Sequence, residues 1–95
     1  MELARIEGTV VSTVKAESLK GRKLLLANLL NADATATDNY LVAIDSVGAG
    51  IGEVVLIVRG SSARQTESLG KVPTDSSIIA IVDSIELKGA IVYEK

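Results

Sequence analysis

The chain has 95 residues, a formal net charge of −2, ten Lys and Arg, 47% hydrophobic residues, two tyrosines as its only aromatic rings, and neither cysteine nor histidine. Disulfides, thiolate chemistry, the usual zinc ligand sets and His-based triads are therefore excluded, and basic residues spread along an acidic chain leave no electrostatic footprint for nucleic acid. One domain over residues 1–95 buries, if it folds alone, only roughly 60–70% of the surface its unfolded form exposes, so a composition this apolar leaves a surplus to be covered.

Met1-Glu2-Leu3-Ala4-Arg5 has neither the basic start nor the apolar stretch of a signal peptide, and a cytoplasmic location is the expectation. The longest apolar runs, Val54 to Val58 and Ile78 to Val82, fall far short of the ~18–20 residues of a spanning helix, so no membrane partner is expected. Residues 2–14 alternate, with Ala4, Ile6, Gly8 and Val10 on one face and Arg5, Glu7 and Thr9 on the other, which predicts a half-buried strand. The apolar pair Val10-Val11 breaks that phase and predicts a bulge or a strong bend there. Residues 15–22 are polar and read as a hairpin connection, and a second strand follows from Lys23 to about Leu30.

Residues 31–39, rich in Asn, Asp, Ala and Thr without periodicity, read as an exposed loop. Further strands are predicted over Tyr40–Asp45, Glu53–Arg59 and Ser77–Leu87, with Lys88-Gly89 turning into a short last strand, Ala90–Tyr93. Ser61 or Ser62 is placed to cap a short helix from Ala63 toward Leu69, with Gly70 as its stop and Pro73 beyond. The stretches Ala43-Ile44-Asp45-Ser46-Val47 and Ile81-Val82-Asp83-Ser84-Ile85 are alike, which shared turn chemistry explains: an Asp-Ser pair bonds its own backbone as a strand exits. These elements predict an all-β fold, a small five-stranded OB-like barrel with one short helix and a short C-terminal strand.

The junction that draws the eye is Val47-Gly48-Ala49-Gly50-Ile51-Gly52-Glu53, where glycines at alternate positions allow positive φ or close backbone approach. It is no dinucleotide fingerprint, because Glu53 stands where G-x-G-x-x-G needs its third glycine and a strand follows. Gly70-Lys71 is followed by Val72 and lacks the earlier glycine of a phosphate-binding loop. Asp45, Glu53, Asp75 and Asp83 offer carboxylates, yet nothing supplies a His, a Cys or an apolar pocket to make them acids or bases. No catalytic residue, cofactor or metal is expected. Arg64 suits a carboxylate or carbonyl across a subunit boundary better than an anion site.

Three strands are apolar on both faces. Leu24, Leu26 and Leu30 oppose Leu25, Ala27 and Leu29; Val54, Leu56 and Val58 oppose Val55 and Ile57; Ile78, Ala80 and Val82 oppose Ile79, Ile81 and Ile85. A small barrel fills its interior with one of these faces, which leaves like subunits in a cyclic assembly to cover the other; the alternative is a flattened two-layer domain with wider burial. A competing function for such a barrel is an OB-type binding module for single-stranded nucleic acid or another ligand. That role calls for stacking aromatics and a basic groove, which this composition does not provide.

A set of local patterns then falls into one order. Gly8-Thr9-Val10-Val11, Ser18-Leu19-Lys20-Gly21 with Lys23-Leu24-Leu25, Val42-Ala43-Ile44-Asp45, Val47-Gly48-Ala49-Gly50 with Gly52-Glu53-Val54, Gly60-Ser61-Ser62-Ala63-Arg64, and Asp75 before Ile79-Ala80-Ile81-Val82-Asp83 together span nearly the whole chain. In this order and spacing the chain resembles the bacterial microcompartment vertex proteins, the class that includes the vertex proteins of carboxysomes and of ethanolamine- and propanediol-utilisation shells. The resemblance implies an OB-like barrel that forms a homopentamer at the fivefold vertices of a polyhedral shell, beside hexameric shell proteins, with a structural role. Gly48, Ala49, Gly50 and Gly52, and Ser61, Ser62 and Arg64 in the following turn, are the residues expected at subunit or axial contacts.

Overall fold

The computed structural model describes residues 1–13, 17–19, 21–60 and 75–95. Strands β1 (Glu2–Val10), β2 (Lys23–Leu30), β3 (Ala36–Asp45), β4 (Val54–Arg59) and β5 (Ser76–Ile81) close a barrel in the order β1-β2-β3-β5-β4. All neighbours are antiparallel except β3 and β5, which run parallel through Ile44↔Ser77 and Asp45↔Ile78. Strands β6 (Ser84–Leu87) and β7 (Ala90–Glu94) form a separate two-stranded hairpin. Among the described residues the only helical element is one 3-10 turn, Glu17–Leu19. The predicted barrel is thus the observed one.

The barrel core follows from period-two side chains. Ala4 and Ile6 of β1, Leu25 and Ala27 of β2, Ala43 of β3, Val55 and Ile57 of β4 and Ile78 of β5 point inward and are fully or almost fully buried. Burying each of the Leu and Ile side chains stabilises the fold by about 1.5–3 kcal/mol relative to exposure. Alanine at positions 4, 27 and 43 leaves room for those larger neighbours in so narrow a barrel.

Several boundaries differ from expectation, each for a physical reason. The bulge of β1 lies at Glu7, between the pairs Ile6↔Ala27 and Gly8↔Leu26, and not at Val10-Val11, where the strand simply ends with Val11 exposed. The fifth predicted strand is two elements. Val82 N–H still donates to the Val54 carbonyl at 2.8 Å, after which the chain leaves the barrel and Ser84 begins the hairpin, with the two-residue turn Lys88-Gly89 (φ +52° and +83°) as expected.

A second irregularity, in β5 between the pairs Leu56↔Ala80 and Ile57↔Ile78, brings Ile78 and Ile81 to the same core, so the strict alternation expected there fails. The last strand belongs to the hairpin and not to the barrel. The exposed loop predicted over residues 31–39 shrinks to a tight turn, because β3 already begins at Ala36. The buried Asn28 side chain donates to the carbonyls of Thr37 (2.9 Å) and Asn39 (3.1 Å), and Thr37 Oγ1 donates to the Leu29 carbonyl at 2.7 Å. Side chains thereby hold a polar strand beside a bulged partner. The helix predicted from Ala63 toward Leu69, and part of the connection over residues 15–22, lie outside the described residues.

Candidate functional site

The glycine loop crosses from the end of β3 to the start of β4 and is braced by two carboxylates. At its entrance Asp45, whose side chain is only 2% exposed, accepts from the backbone N–H groups of Val47 (3.0 Å), Gly48 (3.1 Å) and Ala49 (2.9 Å). This is the Asp turn chemistry expected at the strand exit. Lys23, opposite Asp45 in the β2–β3 register, reaches over it and donates to the Ala49 carbonyl at 3.0 Å, its Nζ lying 3.8 Å from Asp45 Oδ2.

At the exit, Glu53 Oε1 accepts from Gly50 N–H at 2.6 Å, and Glu53 Oε2 pairs with Lys95 Nζ at 2.9 Å. The Lys95 hydrogen bond, with that from Gly50 N–H, holds the Glu53 carboxyl below the usual carboxylate range, and the same pairing raises Lys95. The loop then joins β1: Gly52 N–H donates to the Ile6 carbonyl at 2.8 Å and Ile6 N–H to the Glu53 carbonyl at 2.9 Å. Here the bulge at Glu7 has a use, because β1 pairs β4 only over Glu2–Arg5 and the loop fills the space beyond.

The glycines divide by role. Gly48 (φ +82°) and Gly52 (φ +87°) occupy the left-handed region that glycine adopts without strain. Gly50 does not, and a Cβ on it would lie 3.4 Å from Glu53 Oε1. Ala49 is fully buried among the core side chains and plugs the barrel, so its methyl is not available to a neighbouring subunit. Ile51 is 62% exposed at the tip of this rigid loop. Ser61, Ser62 and Arg64 lie outside the described residues. Sequence reasoning did not assign Lys23 to this site. The adjacent-strand pairing that brings it to Asp45 is set by register, which no local pattern announces.

Elsewhere two arginines join distant parts of the chain. Arg59 forks onto Glu2, donating from Nε to Oε2 and from Nη2 to Oε1 (2.7 Å), and that hydrogen bonding holds the Glu2 carboxyl below its usual range. Arg5 lies over the Tyr93 ring at 5.6 Å from its centroid and extends toward the Gly52 carbonyl at 3.4 Å, tying the C-terminal hairpin to the loop. Among the described residues no group of three acidic side chains gathers as a metal site, and no helix is long and apolar enough to cross a membrane.

The outward face of the β1–β2–β3 sheet, by contrast, exposes the apolar Val42 and the ring of Tyr40 beside Leu26. The family described as ethanolamine utilisation protein EutN/carboxysome matches residues 1–83. The chain belongs to this EutN/CcmL family. It is 44% identical over 95 residues to the carboxysome shell vertex protein CcmL of Synechococcus elongatus, covering all of this chain and 96% of that one. The structure of Nostoc sp. CcmL is similar with a TM-score of 0.94 at 46% identity, covering the whole of both chains. GrpN, a pentameric microcompartment shell protein from Rhodospirillum rubrum, is similar with a TM-score of 0.83 at 44% identity, covering 92% of this chain and 99% of that one. The two CcmL matches cover the whole of this chain, so those relatives share the barrel and the C-terminal hairpin, not one segment alone.

Proposed function

We propose that this chain is a structural subunit of a bacterial microcompartment shell, that it assembles as a homopentamer, and that the pentamer caps the fivefold vertices. The observation that carries this reading is the similarity along nearly the full length to a pentameric shell protein and to a carboxysome vertex protein at 44% identity each. The fold is consistent with it. A closed barrel offers no strand edge to a partner, and each chain of a cyclic ring presents two unlike surfaces, one to each neighbour. The role is structural and not enzymatic, as for the rest of the family.

Hexameric shell proteins are the proposed neighbours, because a sheet of sixfold tiles closes into a polyhedron only where fivefold units interrupt it. The loop Gly48 to Gly52 is proposed to meet an adjacent subunit or the ring axis. Its support is rigid bracing beneath an exposed Ile51, and a glycine at 50 whose φ lies outside the left-handed region.

Native mass spectrometry tests the assembly: five subunits per particle are expected, and stable single chains at micromolar concentration overturn it. Coexpression with hexameric shell proteins tests the vertex role, with closed particles expected when this chain is present and open sheets or tubes when it is omitted. Gly50→Ala tests the loop contact more cleanly than Gly50→Asp, which sets a second carboxylate beside Glu53 within one chain. An unchanged particle mass together with normal shell closure removes the loop from the interface.

A further inference from the structure

We infer that the outward face of the β1–β2–β3 sheet, centred on Gly8, Leu26, Val42 and Tyr40, is one of the two surfaces by which copies of this chain contact each other, an inference that rests on the pentamer proposed above. The strand register sets Gly8, Leu26 and Val42 in a single row across the three strands, with Arg5, Asn28 and Tyr40 in the next. The neighbouring positions Ala27 and Ala43 face the core, so this row faces outward. An outward sheet face that meets water carries polar side chains at such positions. Here Val42 is 45% and Tyr40 57% exposed, beside a half-buried Leu26.

Gly8 supplies an independent sign. Its φ is not in the left-handed region, and a Cβ built on it would meet no atom of its own chain within 4 Å. Neither positive φ nor crowding within the subunit calls for a glycine beside the bulge at Glu7, where glycine weakens the ladder. Its use there fits a second backbone or side chain approaching closely. A large aromatic beside aliphatic residues and a glycine hollow is the composition of an interface centre, not of a solvated sheet. The occupant is a second copy of this chain, because a relative 44% identical over nearly its full length is itself pentameric. Row Val10, Leu24 and Ile44, one step along the same face, is already capped, with Leu19 and Leu24 packed on Ile44. That leaves the Gly8 row as the open part.

Two variants and one measurement on the unaltered protein decide the matter. Val42→Asp and Gly8→Leu are expected to keep the strand-type far-UV circular dichroism of the folded chain and to lose the five-subunit particle in favour of single chains at micromolar concentration. In the intact wild-type particle, nitration by tetranitromethane is expected to spare Tyr40, and to modify it once the particle is dispersed by dilution. Five-subunit particles from both variants, or ready nitration of Tyr40 in the intact particle, overturn the assignment of this face and leave the pentamer standing. A wild-type chain that runs as a monomer overturns both.

Discussion

Two stretches of like pattern with a shared Asp-Ser pair, Ala43 to Val47 and Ile81 to Ile85, end two strands of one barrel in different ways. At the first, Asp45 is buried and gathers three backbone N–H groups, and the chain folds back over the barrel to deliver Ala49 into the core. At the second, Asp83 is exposed, its backbone carbonyl accepts from Lys95 N–H at 2.8 Å, and the chain departs into the hairpin. The Asp-Ser pair is common to both, so it does not choose the outcome. The second residue after the pair separates them: Gly48 permits the positive φ that lets successive N–H groups turn onto one carboxylate, whereas its counterpart Glu86 continues as strand.

The most severe way to break that contrast is Asp45→Ala. It removes a nearly buried charged acceptor and leaves the N–H of the buried Ala49 without a partner, an expected loss of about 2–4 kcal/mol read from urea unfolding at fixed subunit concentration. Next come Gly48→Ala and Gly52→Ala, expected to cost about 1–2 kcal/mol each because both force a Cβ into the left-handed region. Gly50→Ala lies outside that region and is expected to fall below either by the same measurement.

A third test acts through pH. Glu53 is held ionised by Lys95 and Gly50, so its folded-state pKa lies below its unfolded value. Its contribution is therefore fully present above the unfolded carboxylate range near ~4.3 and is lost as pH falls through the lower folded value. Glu53→Gln is expected to flatten the fall in stability on acidification below about pH 5 and to lower stability near pH 7 by the same small amount, small because the pair is solvent-screened. An acid limb identical to that of the wild type would show that the brace does not act through charge.

The sequence disclosed the fold wherever the local period decides the structure. Residues 2–6 alternate, Ala4 and Ile6 turn to the core as expected, and that strand was legible. It did not disclose features that depend on a partner strand: the bulge at Glu7 answers the loop that fills behind it, and the polar opening of β3 is held by Asn28 from across the sheet. The candidate site divides in the same way. Its glycines were visible, but Ala49 as a core plug was not, since small apolar residues between glycines look alike whether they face a core or a neighbour. The surplus apolar surface was visible in Leu24 and Leu26. Its centre at Val42 and Tyr40 emerged only from the register.

The smallest expected effect sharpens the comparison most. If the fate of each strand end is set by the residues after the Asp-Ser pair, then Asp83→Ala should change stability by no more than about 0.5 kcal/mol, because the interaction at that position runs through the main-chain carbonyl and survives the substitution. The exposed carboxylate is also too far into solvent to repeat what Asp45 does under cover. A loss approaching that of Asp45→Ala, measured by urea unfolding under the same conditions, would mean that both stretches rely on the aspartate itself, and that the glycines following Asp45 shape the loop without deciding which way the chain leaves the barrel.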